Sequence, residues 1–175
     1  MEKALISRND EGRTKKLNIE EFIKLEKDEQ EINQLSPLVW AYVGDCVYEL
    51  YIRTYLIETT KLNPHKLHIE AIKYVKAGAQ CKALENIMDK LTDEEKDIVR
   101  RGRNAQNHHL PKNSNVQEYM YATAFEGLIG YLYLSRKFDR VKEIISITIE
   151  SIISNKNSTQ KNGFRFNWYI YRFFK

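Results

Sequence analysis

The sequence predicts an all-α protein, a helical bundle of about six or seven helices, on three observations. Apolar residues recur at the helical period. Helix-start signals stand at Ser36-Pro37, Asn63-Pro64 and Thr92-Asp93-Glu94-Glu95, and the body of the chain has no alternating strand pattern. With 175 residues and 42% hydrophobic content, the chain suits one core and one domain rather than two.

Residues 1 to 30 form a polar leader of mixed charge, with a turn at Asn9-Asp10-Glu11-Gly12-Arg13 and a short helix over Ile19 to Lys27. The first residues are charged and lack the apolar core of a signal peptide. No stretch approaches the ~20 apolar residues of a membrane span, so a soluble, cytoplasmic protein without a membrane partner is expected. Cys46 and Cys81 have neither a CxxC partner nor metal-ligand spacing and read as reduced core residues.

The main domain is expected over residues 31 to 154. Ser36 caps its first long helix and Pro37 takes the first helical position, after which Leu38, Tyr42, Val43, Cys46, Val47, Leu50 and Tyr51 recur at the helical period. Asn63-Pro64 opens a second helix through the 70s, with a bend at Gly78 before a segment from Ala79 to Leu91. The capping box Thr92 to Glu95 opens a helix to about Arg103. A helix from Glu118 to Leu134 and a last one from about Arg140 to Ser154 follow. Residues 155 to 175 comprise a linker and an aromatic, basic tail from Phe164 to Lys175.

Two features of this pattern are chemically out of place. Gly44-Asp45 lies inside an apolar helix, where glycine costs about 1 kcal/mol relative to alanine and a carboxylate resists burial. Glu126 is likewise a lone acid within Ala122-Thr123-Ala124-Phe125-Glu126-Gly127-Leu128-Ile129-Gly130, beside glycines that let another backbone approach. Gly44 also suits close helix packing and Asp45 a cap or an ion pair with a nearby Arg, and on the residues alone both readings stay open. If the two helices face each other, Asp45 and Glu126 can share a hard divalent cation such as Mg²⁺ with several retained waters.

A third feature complements the acids. From Ile98 through Gln117 there is no carboxylate, while Arg100, Arg101, Arg103, His108, His109 and Lys112 all fall in that window. A net charge of +4 permits nucleic-acid binding without requiring it, and this basic loop is where a polyanionic backbone would be held.

These residues resemble the catalytic domain of the ribonuclease III family. Tyr42-Val43-Gly44-Asp45-Cys46-Val47-Tyr48-Glu49 is similar to its signature helix, and Ala122 to Leu134 to its second acidic helix. Arg100-Arg101-Gly102-Arg103-Asn104-Ala105, Pro111-Lys112-Asn113, Tyr121 and Phe125-Glu126 resemble, in order and spacing, the short bacterial Mini-ribonuclease III branch, which lacks a double-stranded-RNA-binding domain. The resemblance covers about residues 31 to 150. It implies a ribonuclease III-like helical bundle and a Mg²⁺-dependent endoribonuclease acting on double-stranded RNA. It further implies a precursor of 23S ribosomal RNA as substrate, a homodimer in which each subunit cuts one strand, and ends with 5′-phosphate, 3′-hydroxyl and a short 3′ overhang. An accessory ribosomal protein that presents the substrate stays open. By the same resemblance Asp45 and Glu126 are the catalytic and metal-binding acids, while Arg100, Arg101, Arg103, Asn104, His108 and Lys112 of the basic loop are the expected RNA-binding residues.

The chain departs from full-length ribonuclease III at two acidic positions, with Ala41 four residues before Asp45 and Thr123 three residues before Glu126. The Mini branch resembles this chain in that reduction. Elsewhere, Glu49 is expected to pair with Arg53 one turn on. Glu85, Asp89, Asp93, Glu94 and Glu95 read as a solvated helix face and helix start, and Trp40, Tyr42 and Tyr48 as core or subunit contacts. The alternative function is a non-catalytic RNA-binding or ribosome-associated protein on the same fold.

Overall fold

The structure is a computed structural model that describes residues 27–105 and 115–159. Among them lie seven α-helices and no strand: α1 (Glu29–Gln34), α2 (Pro37–Thr59), α3 (Pro64–Val75), α4 (Ala77–Ile87), α5 (Asp93–Asn104), α6 (Val116–Leu134) and α7 (Phe138–Thr159), with a 3₁₀ turn at Met88–Lys90 before α5. The leader turn and most of the Ile19–Lys27 helix, His108, His109, Pro111, Lys112 and the aromatic tail lie outside the described residues.

The expected helix starts are present with their caps. Ser36 Oγ accepts from the Leu38 N–H, Asn63 Oδ1 from the Lys66 N–H, and Pro37 and Pro64 occupy first-turn positions that need no N–H donor. Thr92 and Glu95 form the reciprocal capping box. A second box, Asp28 with Glu31, opens α1, which sequence reading did not anticipate.

Helix α6 runs through the centre of the molecule. From Ala122 to Leu132 every residue except Glu126 is buried, as expected for a helix packed on several sides. Helices α2, α4 and α5 make its main contacts, and Val141, Ile144, Ile145 and Ile149 of α7 complete the core. Tyr48 of α2 meets Phe125 of α6 edge to face, with ring centroids 5.0 Å apart. Trp40, fully buried, meets Tyr131 at 5.3 Å and donates its indole N–H to the Ile32 carbonyl at 2.9 Å. That bond ties α1 to α2.

The α2–α6 crossing is closed by glycine on both sides. A Cβ on Gly44 would lie 1.8 Å from the Glu126 carbonyl oxygen, and one on Gly130 would lie 1.9 Å from the Trp40 carbonyl oxygen. Gly127 is less tight, at 3.7 Å from the Pro37 carbonyl. Packing is therefore the reason for the glycine that interrupts the apolar helix.

Four expectations are corrected. The break between the second helix and its continuation falls at Lys76, whose φ of −67° and ψ of 148° are extended backbone open to any residue. Gly78, expected to bend the chain, instead makes room for the Glu118 carboxylate, 3.1 Å from where a Cβ would sit. Cys46 is exposed, and only Cys81 is a core thiol. Helix α7 continues past Ser154 to Thr159, because no glycine or proline occurs before Gly163.

The fourth correction is Glu95, which is buried rather than solvated. Arg140 of α7 clasps it through two 2.8 Å hydrogen bonds and also donates to the Lys90 carbonyl. Burial pushes the Glu95 carboxyl up, but the Arg140 hydrogen bonds and the Thr92 backbone N–H outweigh it and hold the group below its ordinary range. Arg140 was read only as a helix start. Its partner lies 45 residues away in sequence, beyond any local pattern.

Candidate active site

Gly44 faces the α6 backbone, so the next residue on α2, one hundred degrees round the helix, emerges beside the seam. Asp45 therefore sits at the edge of the crossing, exposed to solvent on one side. Across the seam, the residue whose carbonyl meets Gly44 is Glu126, and its side chain is partly buried. Both acids line one cleft of about 260 Å³. Ala41 and Thr123, the two positions where the family pattern has further acids, line the same cleft. Leu38, Tyr42, Cys46 and Tyr119 complete its wall.

The electrostatics follow from this placement. Burial, then the negative charge of Asp45, pushes the Glu126 carboxyl up to about 7, against a smaller downward pull from the Gln80 amide. Asp45 is also raised, by partial burial and by Glu49 one turn along α2. Glu49 is itself ion-paired with Arg53, as its spacing predicts. Two carboxylates lining one cleft, each raised chiefly by burial, suit a hard dication, because its charge favours their ionised forms.

Among the described residues, no group of three or more His, Cys, Asp and Glu is arranged to hold a metal ion. Asp45 and Glu126 are the two acids of the cleft that could hold a hard divalent cation, the rest of whose shell would be water.

Gln80 was missed by the sequence reading. It is 1% exposed on α4, its amide nitrogen has no well-formed hydrogen-bond partner among the described residues, and it lies near enough to Glu126 to draw that carboxyl down. A signal was present: Gln80, Ala83, Leu84 and Ile87 recur at helical spacing, so the glutamine occupies a core position.

The basic residues divide. Arg100 and Arg103 are exposed on α5, Arg100 paired with Asp97, and Asn104 is exposed at the helix end. Arg100, Arg103 and Lys96, together with Glu85, line a groove of about 300 Å³ that also includes Val99 and Tyr121. Arg101 turns inward instead: it donates to the Asn33 carbonyl at 2.6 Å and to the Asn33 side chain, and its guanidinium lies 4.4 Å above the Trp40 ring. These contacts dock α1 against α5, and the Arg101 side chain stays half-exposed. His108 and Lys112 lie outside the described residues.

Residues 38–137 match the family described as the ribonuclease III domain. The chain is 51% identical over 118 residues to Mini-ribonuclease 3 of Thermoanaerobacter sp. (strain X514), covering 67% of this chain and 83% of the relative. Against Mini-ribonuclease 3 of Clostridium tetani (strain Massachusetts / E88), identity is 40% over 144 residues, covering 81% of this chain and 95% of the relative. A crystal structure of a Fusobacterium nucleatum protein is similar at a TM-score of 0.62 and 34% identity, covering 69% of this chain and 97% of that one.

Proposed function

The chain belongs to the ribonuclease III family, and we propose that Asp45 and Glu126 are the acids with which it hydrolyses double-stranded RNA. It is an endoribonuclease of the Mini-ribonuclease 3 type, and maturation of a 23S ribosomal RNA precursor is the cleavage that fits this kinship. The observation that carries the reading is the meeting in one cleft of two lone acids 81 residues apart in sequence.

Asp45 and Glu126 would hold a Mg²⁺ ion, which when bound supplies activation of water and neutralisation of charge at the scissile phosphate. The chain's own residues do the rest. Glu126, whose carboxyl titrates near neutrality in the absence of a cation, must be ionised to serve as a ligand. The small side chains of Ala41 and Thr123 leave space for retained water. Arg100, Arg103 and Asn104 are exposed on α5, and contact to phosphate and 2′-hydroxyl groups is how A-form RNA is held.

Cutting both strands calls for two centres facing one duplex, and ribonuclease III enzymes act as dimers. A symmetric homodimer is supported by the outer stripe of α2, where Val39, Tyr42, Leu50 and Ile57 are exposed at 43, 78, 65 and 64%. Tyr42 and Cys46 of that stripe also line the acidic cleft, so a partner seated there would border the site. No helix among the described residues is long and apolar enough to cross a membrane.

The experiment is a Mg²⁺ titration of cleavage on a structured precursor of large-subunit ribosomal RNA, with chelator as control. Cleavage that appears with Mg²⁺ and yields 5′-phosphate ends supports the proposal, and cleavage that persists in chelator contradicts it.

A further inference from the structure

Gln80, Ser135 and Thr148 each bury a side-chain polar atom without a hydrogen-bond partner among the described residues, and of the three Gln80 is the one that acts on a cleft acid. It is 1% exposed on α4, between Ala79 and Cys81, and α4 packs along α6. Its amide nitrogen finds no hydrogen-bond partner among the described residues. An unpartnered buried donor is costly, and a position needing only bulk would be filled at least as well by leucine or methionine. The acid within its reach is Glu126, whose carboxyl it draws down, and Glu126 lines the cleft with Asp45.

We propose that Gln80 is a positioning residue for Glu126: its amide donates to one oxygen of the ionised carboxylate and leaves the other for a divalent cation shared with Asp45. The inference rests on the acid-pair reading above and adds the group that orients the pair. Outer partners that hydrogen-bond a ligating carboxylate fix its direction, and losing one weakens metal affinity about 10- to 100-fold.

The test uses full-length protein without RNA at pH 8. Mn²⁺ affinity is measured by electron paramagnetic resonance and melting temperature by calorimetry, for wild type, Gln80→Met, Gln80→Leu and Glu126→Gln. The proposal expects Gln80→Met and Gln80→Leu to bind Mn²⁺ about tenfold more weakly while melting at or above the wild-type temperature, because an orphan donor has been removed. Glu126→Gln should lose most of the binding. Unchanged Mn²⁺ affinity in both Gln80 variants, or a loss that only accompanies a lowered melting temperature, overturns the role of Gln80. If Glu126→Gln also binds Mn²⁺ normally, the acid-pair reading itself fails and the proposal falls with it. Should neither Gln80 variant fold, the side-chain amide signal of Gln80 in wild-type protein decides: a downfield shift on Mg²⁺ addition supports the proposal, and an unmoved signal overturns it.

Discussion

The carbonyl oxygen of Glu126 lies 1.8 Å from where a Cβ on Gly44 would stand. The residue that carries the second acid is thus also the backbone on which the first acid's helix is seated. Packing and chemistry share one contact, so altering the glycine moves the carboxylates apart. Gly44→Ala and Gly130→Ala each gain about 1 kcal/mol of helix propensity, yet each places a methyl group against immovable backbone. Both should be net destabilising by at least ~2 kcal/mol in urea unfolding and should lose cleavage.

Glu126 gives the protein a pH signature. Its carboxyl is raised in the folded state to about 7, from 4.5. The folded chain therefore holds a proton that the unfolded chain has released between those values, and the associated stability falls as pH rises through that window. The loss is on the order of 3 kcal/mol at pH 8. In cation-free buffer Glu126→Gln should melt higher than wild type at pH 8 and equally at pH 4. Saturating Mg²⁺ should close the gap at pH 8 by stabilising wild type alone.

Arg140 holds the buried Glu95 carboxylate through two hydrogen bonds, linking the start of α5 to α7. Removing one partner leaves a charge without its counterion, so Arg140→Ala should cost roughly 3 kcal/mol in chemical unfolding. Because the Glu95 carboxyl is held below its ordinary range, the stability it contributes is present above its unfolded pKa and is lost as pH falls through the folded one. Wild type should lose its advantage over Glu95→Gln at acid pH, by thermal melts.

The arginines of α5 should separate in RNA binding. Arg103→Ala should reduce the salt slope of duplex affinity by about 0.7 to 0.9 if it meets one phosphate. Arg100→Ala should do less, since Asp97 already competes for that guanidinium. Arg101→Ala should leave the slope unchanged and lower the melting temperature, through loss of the Asn33 hydrogen bonds and the Trp40 stack. Filter binding across a salt series, paired with melting curves, distinguishes the three.

What the sequence made legible were features with a local signature. Caps at Ser36, Asn63 and Thr92 and the periodic apolar runs located most helices to within a few residues. The anomalous Gly44-Asp45 and Glu126 pointed to the cleft. Misread features depend on partners remote in sequence. Nothing near Glu95 announces Arg140, and a helix break at Lys76 uses backbone angles that any residue adopts. Cys46 looked apolar at helical spacing, but its α2 face points outward.

The measurement closest to the central claim compares RNA cleavage, RNA affinity and melting temperature for wild type, Asp45→Asn and Glu126→Gln in Mg²⁺. Each variant keeps the shape of the side chain and removes the charge that would hold the ion. The account predicts that both lose cleavage by more than about a hundredfold, beyond the usual loss for an outer partner, while remaining folded and binding duplex RNA nearly as wild type does. Wild-type cleavage rates in both variants would contradict it.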